Sequence, residues 1–146
     1  MRTFKKYRAM DPALMRRGRA KVDAVADFLQ VAQVSNGPFF IANSFRRAYR
    51  CEPPEMRHHY VAFYRRAVDE FVPLGYALMR PHGNLTLVAG SLTDGRRFEH
   101  VTAEHSSAIR EIGGIKVLVL SQAILDLGYG CEAFFAYSGN ERARAA

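Results

Sequence analysis

An α/β fold, with a mixed, mainly antiparallel central sheet flanked by helices, is what this sequence predicts, and three observations predict it. Apolar residues recur at helical spacing in the first half of the chain, alternate strictly between Val72 and Leu92, and return at helical length from Ile115. Turn residues part the two alternating segments as they would in a hairpin, which makes those strands antiparallel. A last aromatic segment, CEAFFAY, has strand composition and follows the long apolar stretch.

The 146 residues suffice for one domain with a real core, so residues 1–146 are expected to form a single unit, with residues 1–20 as a basic N-terminal arm. Within the arm, DPALMRRG offers one helical turn opened by Asp11, with Pro12 at its first position. From Lys21 to Val34, Val22, Val25, Leu29 and Ala32 recur at helical spacing and Phe28 and Val31 widen the stripe, which predicts a helix. Asn36, Gly37 and Pro38 are expected to stop it. FFIANSFRRAYR reads as a second short helix broken by CEPP.

In PEMRHHYVAFYRRAVDEF, Met56, Tyr60, Phe63, Tyr64, Val68 and Phe71 fall on one helical face behind Pro54, which predicts a third helix. The period then changes. VPLGYALMRP and NLTLVAGSL alternate as strands, with PHGN as the turn between them. TDGRR makes another turn, and TAEHSSAIREI reads as a helix with Thr102 as its N-cap. IKVLVL alone has strand composition, but the whole of IKVLVLSQAILDLG has helical length and ends at Gly128, so a buried helix is predicted.

Composition narrows the function classes. No apolar run approaches the roughly 20 residues that span a bilayer, and the N-terminus lacks the apolar core of a signal peptide, so no membrane and, by default, a cytoplasmic location are expected. Cys51 and Cys131 form no CxxC pair and read as buried free thiols. The net charge of +7 is clustered at Arg2 to Arg8, Arg16 to Lys21, Arg46 to Arg50 and Arg65 to Arg66. Such a balance favours anionic partners: nucleic acid, a phosphate-bearing cofactor or an acidic protein, unless it is a solvated surface only. No recognisable nucleic-acid motif accompanies the basic clusters.

A strand hairpin, an arginine and glycines opening a buried helix, then a strand running into Ser138-Gly139-Asn140, resembles the core of the GNAT superfamily of acyl-CoA N-acyltransferases, over residues 72–146. The resemblance implies acetyl-CoA or another acyl-CoA as cofactor and an amine on a small molecule or protein as acceptor. It implies that Arg110, Gly113, Gly114, Ile115 and Lys116 hold the cofactor pyrophosphate, with Ile115 standing where the family has glycine or alanine. Glycines admit an anion close to the backbone, and a helix start favours negative charge. The strand at Val88, Gly90 and Ser91 would pair with the pantetheine amides, and Asn140 would contact the cofactor arm. Gly113 and Gly114 have a plainer reading as well, as a left-handed cap between two helices.

Two features depart from the family. Residues 93–109 are inserted before the glycine loop, and the sequence stops at Ala146, before the family's further helix, with its frequent tyrosine acid, and two further strands. The strand at Glu132 to Tyr137 is therefore expected to have its edge covered, by a second copy of the chain or by the N-terminal arm folding back.

Among acids able to deprotonate an attacking amine, Asp94, Glu99, Glu104, Glu111 and Glu132, spacing singles out none; Glu99 joins Tyr137 and Ser138, at the carboxyl end of a strand, as the candidate catalytic set. His100, Glu104 and His105 match neither HExxH nor HxxEH, so no metal is expected, and no serine sits in a GxSxG context. The function expected is N-acyl transfer. The alternative is a non-catalytic basic module that binds nucleic acid or an acidic protein on the same scaffold.

Overall fold

A computed structural model describes residues 3–7, 11–53, 58–128 and 131–138, with side chains over 11–53, 58–128 and 131–136. The predicted fold class holds: a mixed, mostly antiparallel sheet carries helices on both faces. Six strands occur among the described residues: β1 Thr3–Tyr7, β2 Leu29–Val34, β3 His58–Ala67, β4 Glu70–His82, β5 Leu85–Thr93 and β6 Ala133–Ser138. Their order is β1-β6-β5-β4-β3-β2, and only the β5–β6 pair is parallel.

Four helices complete the described chain: α1 Pro12–Ala24, α2 Gly37–Tyr49, α3 Ala103–Glu111 and α4 Ile115–Leu127, with a 3-10 turn at Gly95–His100. Asp11 caps α1 by accepting the Ala13 N–H at 2.9 Å, with Pro12 at the first position, as its sequence predicts. Thr102 caps α3 in the same way, accepting from the His105 N–H at 3.2 Å.

β3 and β4 bury both faces, so each has a core on either side. On one side Tyr60, Ala62, Ala77 and Met79 meet Ile115, Leu118, Val119 and Ala123 of α4, with Ile109 of α3 and the apolar side of α1 around them. On the other, Val61, Tyr76, Leu78 and Leu92 meet Ile41 and Phe45 of α2. The buried His59 Nδ1 and the Tyr76 hydroxyl lie 2.8 Å apart in that second layer.

Several sequence-based expectations change. Of the two thiols expected to be buried, Cys131 is and Cys51 is exposed. The helix predicted over Lys21 to Val34 ends at Ala24, and Leu29–Val34 instead pairs with β3 as an edge strand. Asn36, Gly37 and Pro38 do not stop a helix but start one, with Asn36 as the N-cap of α2. The helix predicted after Pro54 is replaced, in its described part, by β3 and the start of β4, because its aromatic and β-branched residues are buried on both faces of a central strand. The N-terminal arm forms β1 over Thr3–Tyr7, and the single helical turn expected behind Asp11 extends into α1, thirteen residues long. That strand covers the edge of β6, from Thr3 opposite Ser138 to Tyr7 opposite Phe134, so the N-terminal arm does the covering.

Candidate functional site

The sheet opens between its two parallel strands. β5 and β6 pair from Leu85 opposite Ala133 to Val88 opposite Ala136 and then part, although β5 continues to Thr93 and β6 to Ser138. The parting coincides with a bulge: on the β4 side Leu78 pairs with Gly90 and Met79 with Val88, which leaves Ala89 without a partner. From Ala89 to Thr93, β5 thus presents a strand edge that β6 does not fill.

One point on that edge is already occupied. The Tyr49 hydroxyl, at the end of α2, accepts the Ser91 N–H at 3.1 Å and donates to the Ser91 carbonyl. Since both its N–H and its C=O meet that hydroxyl, Ser91, opposite Ala77 of β4, turns these groups away from β4 and toward the opening. The hydroxyl makes there the donor and acceptor contacts that a neighbouring strand would make.

Just beyond β5 lies a buried carboxylate. Asp94 Oδ2 accepts from Ser44 Oγ at 2.5 Å and Arg47 Nη2 at 2.8 Å and forms an ion pair with Arg97 Nε at 3.2 Å, while Oδ1 accepts from the Arg96 N–H at 3.2 Å. Its own N–H donates to the Leu74 carbonyl at 2.8 Å, and Arg97 Nη1 donates to the Pro73 carbonyl at 3.1 Å. Burial pushes the Asp94 carboxyl up, but the Ser44 hydroxyl, Arg47, the Arg96 N–H and Arg97 together outweigh it and hold the group below the usual range. The set ties α2 to the ends of β4 and β5.

α4 starts on the opposite face at the same end of β5. A Cβ on Gly75 would run into the Ile115 side chain and stand 3.0 Å from the Leu92 carbonyl, so only glycine lets α4 approach there. Gly113 and Gly114, at φ of 104° and 96°, form the cap between α3 and α4. The Gly113 N–H donates to the Arg110 carbonyl at 3.0 Å and the Gly114 N–H to the Ile109 carbonyl at 2.9 Å, the paired bonds of a Schellman motif.

These bonds correct one expectation. The amides of Gly113 and Gly114 are spent on α3 and are not donors to a pyrophosphate. The first intrahelical bond of α4 runs from the Leu118 N–H to the Gly114 carbonyl at 3.1 Å, so the helix leaves the N–H groups of Ile115, Lys116 and Val117 for an external acceptor.

The remaining candidates divide. Arg110 and Lys116 are exposed on either side of the cap, whereas the Ile115 side chain is buried against the sheet. Val88 packs into the α4-side core and Gly90 faces Phe45, so both contribute backbone rather than side chain to the opening. Glu99 is not brought to it: the carboxylate lies 3.5 Å from His100 Nε2, and His100 Nδ1 is 3.2 Å from Arg66, beyond β4 at the end of β3. Tyr137 and Ser138 lie on β6 past its last partner on β5, with side chains outside the described residues, as is Asn140.

His105 has a structural setting, 2.7 Å from the Tyr64 hydroxyl and stacked on Phe28 with ring centroids 3.8 Å apart. Among the described residues no three His, Cys, Asp or Glu side chains group as metal ligands, and no helix is long and apolar enough to cross a membrane. Sequence reasoning missed Tyr49, Ser44 and Arg47, whose partners lie 42, 50 and 47 residues away. Compared with known protein families, curated proteins and solved structures, the chain matches none.

Proposed function

We propose that this protein is a GNAT-like N-acyltransferase, which moves an acetyl or other acyl group from acyl-CoA to an amine. The observation that carries the reading is the parting of β5 and β6 at the Ala89 bulge, beside the start of α4. A strand edge with unfilled amides suits an extended, amide-bearing chain such as pantetheine, and a helix start a few residues away suits its pyrophosphate.

The pyrophosphate is held by the N–H groups of Ile115, Lys116 and Val117 and by the Lys116 ammonium, with Arg110 beside the cap. Pantetheine lies along the open edge of β5 at Gly90 and Ser91, past Val88, whose edge β6 fills. At Ser91 its amide takes over the two bonds now made by the Tyr49 hydroxyl. Ala89, which pairs with neither β4 nor β6, supplies a backbone N–H to the thioester oxygen. The neutral amine then attacks the carbonyl carbon; the C–N bond forms, the C–S bond breaks, and coenzyme A leaves as a thiolate that takes up the proton lost from nitrogen. Tyr137 and Ser138 stay as candidates at the mouth of the opening. Glu99 does not.

Calorimetric titration of the folded protein with acetyl-CoA tests the reading. Binding in the micromolar to millimolar range is expected, and no heat at millimolar cofactor removes the enzyme. The second reading, a basic module for nucleic acid or an acidic protein, is favoured by α1, where Arg16, Arg17, Arg19 and Lys21 have no ion-pair partner among the described residues. Binding of duplex DNA or RNA that falls steeply with salt, without acetyl-CoA binding, would select it.

A further inference from the structure

Asp94 neutralises one charge and holds two. Arg47 and Arg97 converge on the same oxygen, Oδ2, which also accepts from Ser44, so the two guanidinium groups stand side by side at the end of β5. Two like charges at that separation oppose each other, and one carboxylate offsets only one of them. No other acid pairs with either arginine among the described residues, since Glu52 is taken by Arg46, Glu70 by Arg66 and Glu99 by His100. The Arg47 side chain is 43% exposed and Arg97 28%, so a ligand reaches both, while Asp94 at 6% stays beneath them. Among the described residues Arg47 Nε and Nη1 make no hydrogen bond; Nη2 is the atom used on Asp94 and Ser44.

We propose that Arg47 and Arg97 bind the carboxylate of the acyl acceptor, and that this carboxylate stands well apart from the attacking amine, because Asp94 lies five residues of strand, on the order of 15 Å, beyond Ala89. The word acceptor rests on the acyltransferase reading; the carboxylate site does not. The surplus of the set is a single positive charge, which matches a monoanion such as a carboxylate better than a phosphate dianion. Arginine offers a planar edge that meets a carboxylate with two parallel hydrogen bonds, and the Asp94 contacts hold that edge in place before the ligand arrives. The position also fits the chemistry. The arginines stand at the mouth of the open edge, three residues beyond Ser91, where an acceptor would enter.

The test uses the full chain and pairs of probes that differ only in the carboxylate: alanine, leucine and phenylalanine against their amides. Arginine Nε–H resonances are followed by NMR at constant ionic strength, without cofactor. The amino acids should shift the Arg47 and Arg97 signals saturably and the amides should not. Arg47→Gln, in which Asp94 keeps Ser44, Arg97 and the Arg96 N–H, should weaken amino-acid binding about tenfold, as loss of a charge-assisted hydrogen bond would. Equal shifts with acids and amides, no shift with either, or unchanged affinity in the variant would overturn the site. A parallel titration with acetyl-CoA keeps the two ideas apart: carboxylate binding without cofactor binding sinks the enzyme and leaves the anion site, and the reverse result does the opposite.

Discussion

Asp94→Asn is the substitution whose cost the structure lets one work out. The amide keeps the size of the carboxylate and its Oδ1 acceptor for the Arg96 N–H, but loses the charge that holds Arg47 and Arg97 together against Ser44. Removing one member of a fully buried ion pair costs roughly 3–5 kcal/mol, and the half-exposed Arg47 recovers part of this by turning to water, so a loss of about 2–3 kcal/mol is expected. A domain of this size retains its fold after such a loss. Urea unfolding at several pH values measures it, with an unchanged m-value as the sign that only stability moved.

The pH dependence carries the stronger check. Because the folded carboxyl titrates below its unfolded value, its stabilisation is fully present above the unfolded pKa of about 3.9 and is lost as pH falls through the folded pKa. The gap between wild type and Asp94→Asn should therefore be constant from pH 7 to about pH 5 and shrink below about pH 4. A gap under about 0.5 kcal/mol at pH 7, the scatter of an ordinary surface substitution, or one that persists unchanged below pH 3, would refute the account of Asp94 as an anchoring anion.

Three further outcomes follow from the same geometry. Tyr49→Phe frees Ser91 of a competing hydroxyl; hydrogen exchange at the Ser91 amide should quicken, and coenzyme A should bind about fivefold tighter by calorimetry, the worth of about one net hydrogen bond. Lys116→Glu puts an acid in the first turn of α4, where it does not harm the helix, but should weaken coenzyme A at least tenfold; equal affinity would move the pyrophosphate elsewhere. Gly113→Ala forces a side chain to φ of 104° and within 3.2 Å of Val117, so a loss of about 1–3 kcal/mol in chemical unfolding is expected, and a neutral result would mean that the cap relaxes.

Much of the fold was legible because its signals are local. The β4–β5 hairpin shows in alternation around a turn whose Gly83 has φ of 61°, and α3 and α4 show in the Thr102 cap, the glycine pair and thirteen residues of helical length. β3 was misread because Tyr60, Val61 and Ala62 are all fully buried; with apolar residues on both faces no alternation survives, and the aromatics fall by chance at helical spacing. β2 reads as helix because Leu29 and Ala32 continue the helical spacing of Val22 and Val25, although α1 ends at Ala24 and both residues lie on a strand paired with β3.

For the site the division is similar. That the glycines join two helices was readable from their position, and both readings of the pair, as cap and as anion site, were open. Only the tertiary structure decided between them, by spending both glycine amides on α3 and leaving the donors of α4 one residue further on. The parting of β5 and β6, the hydroxyl of Tyr49 upon it and the contacts of Ser44 and Arg47 with Asp94 belong to no local pattern; the last three join α2 to the end of β5 across more than forty residues and exist only once both have packed on the same sheet. Sequence spacing records what one element does to itself; where two elements meet, the packing of the core sets the distance, and chemistry that depends on that distance appears with it.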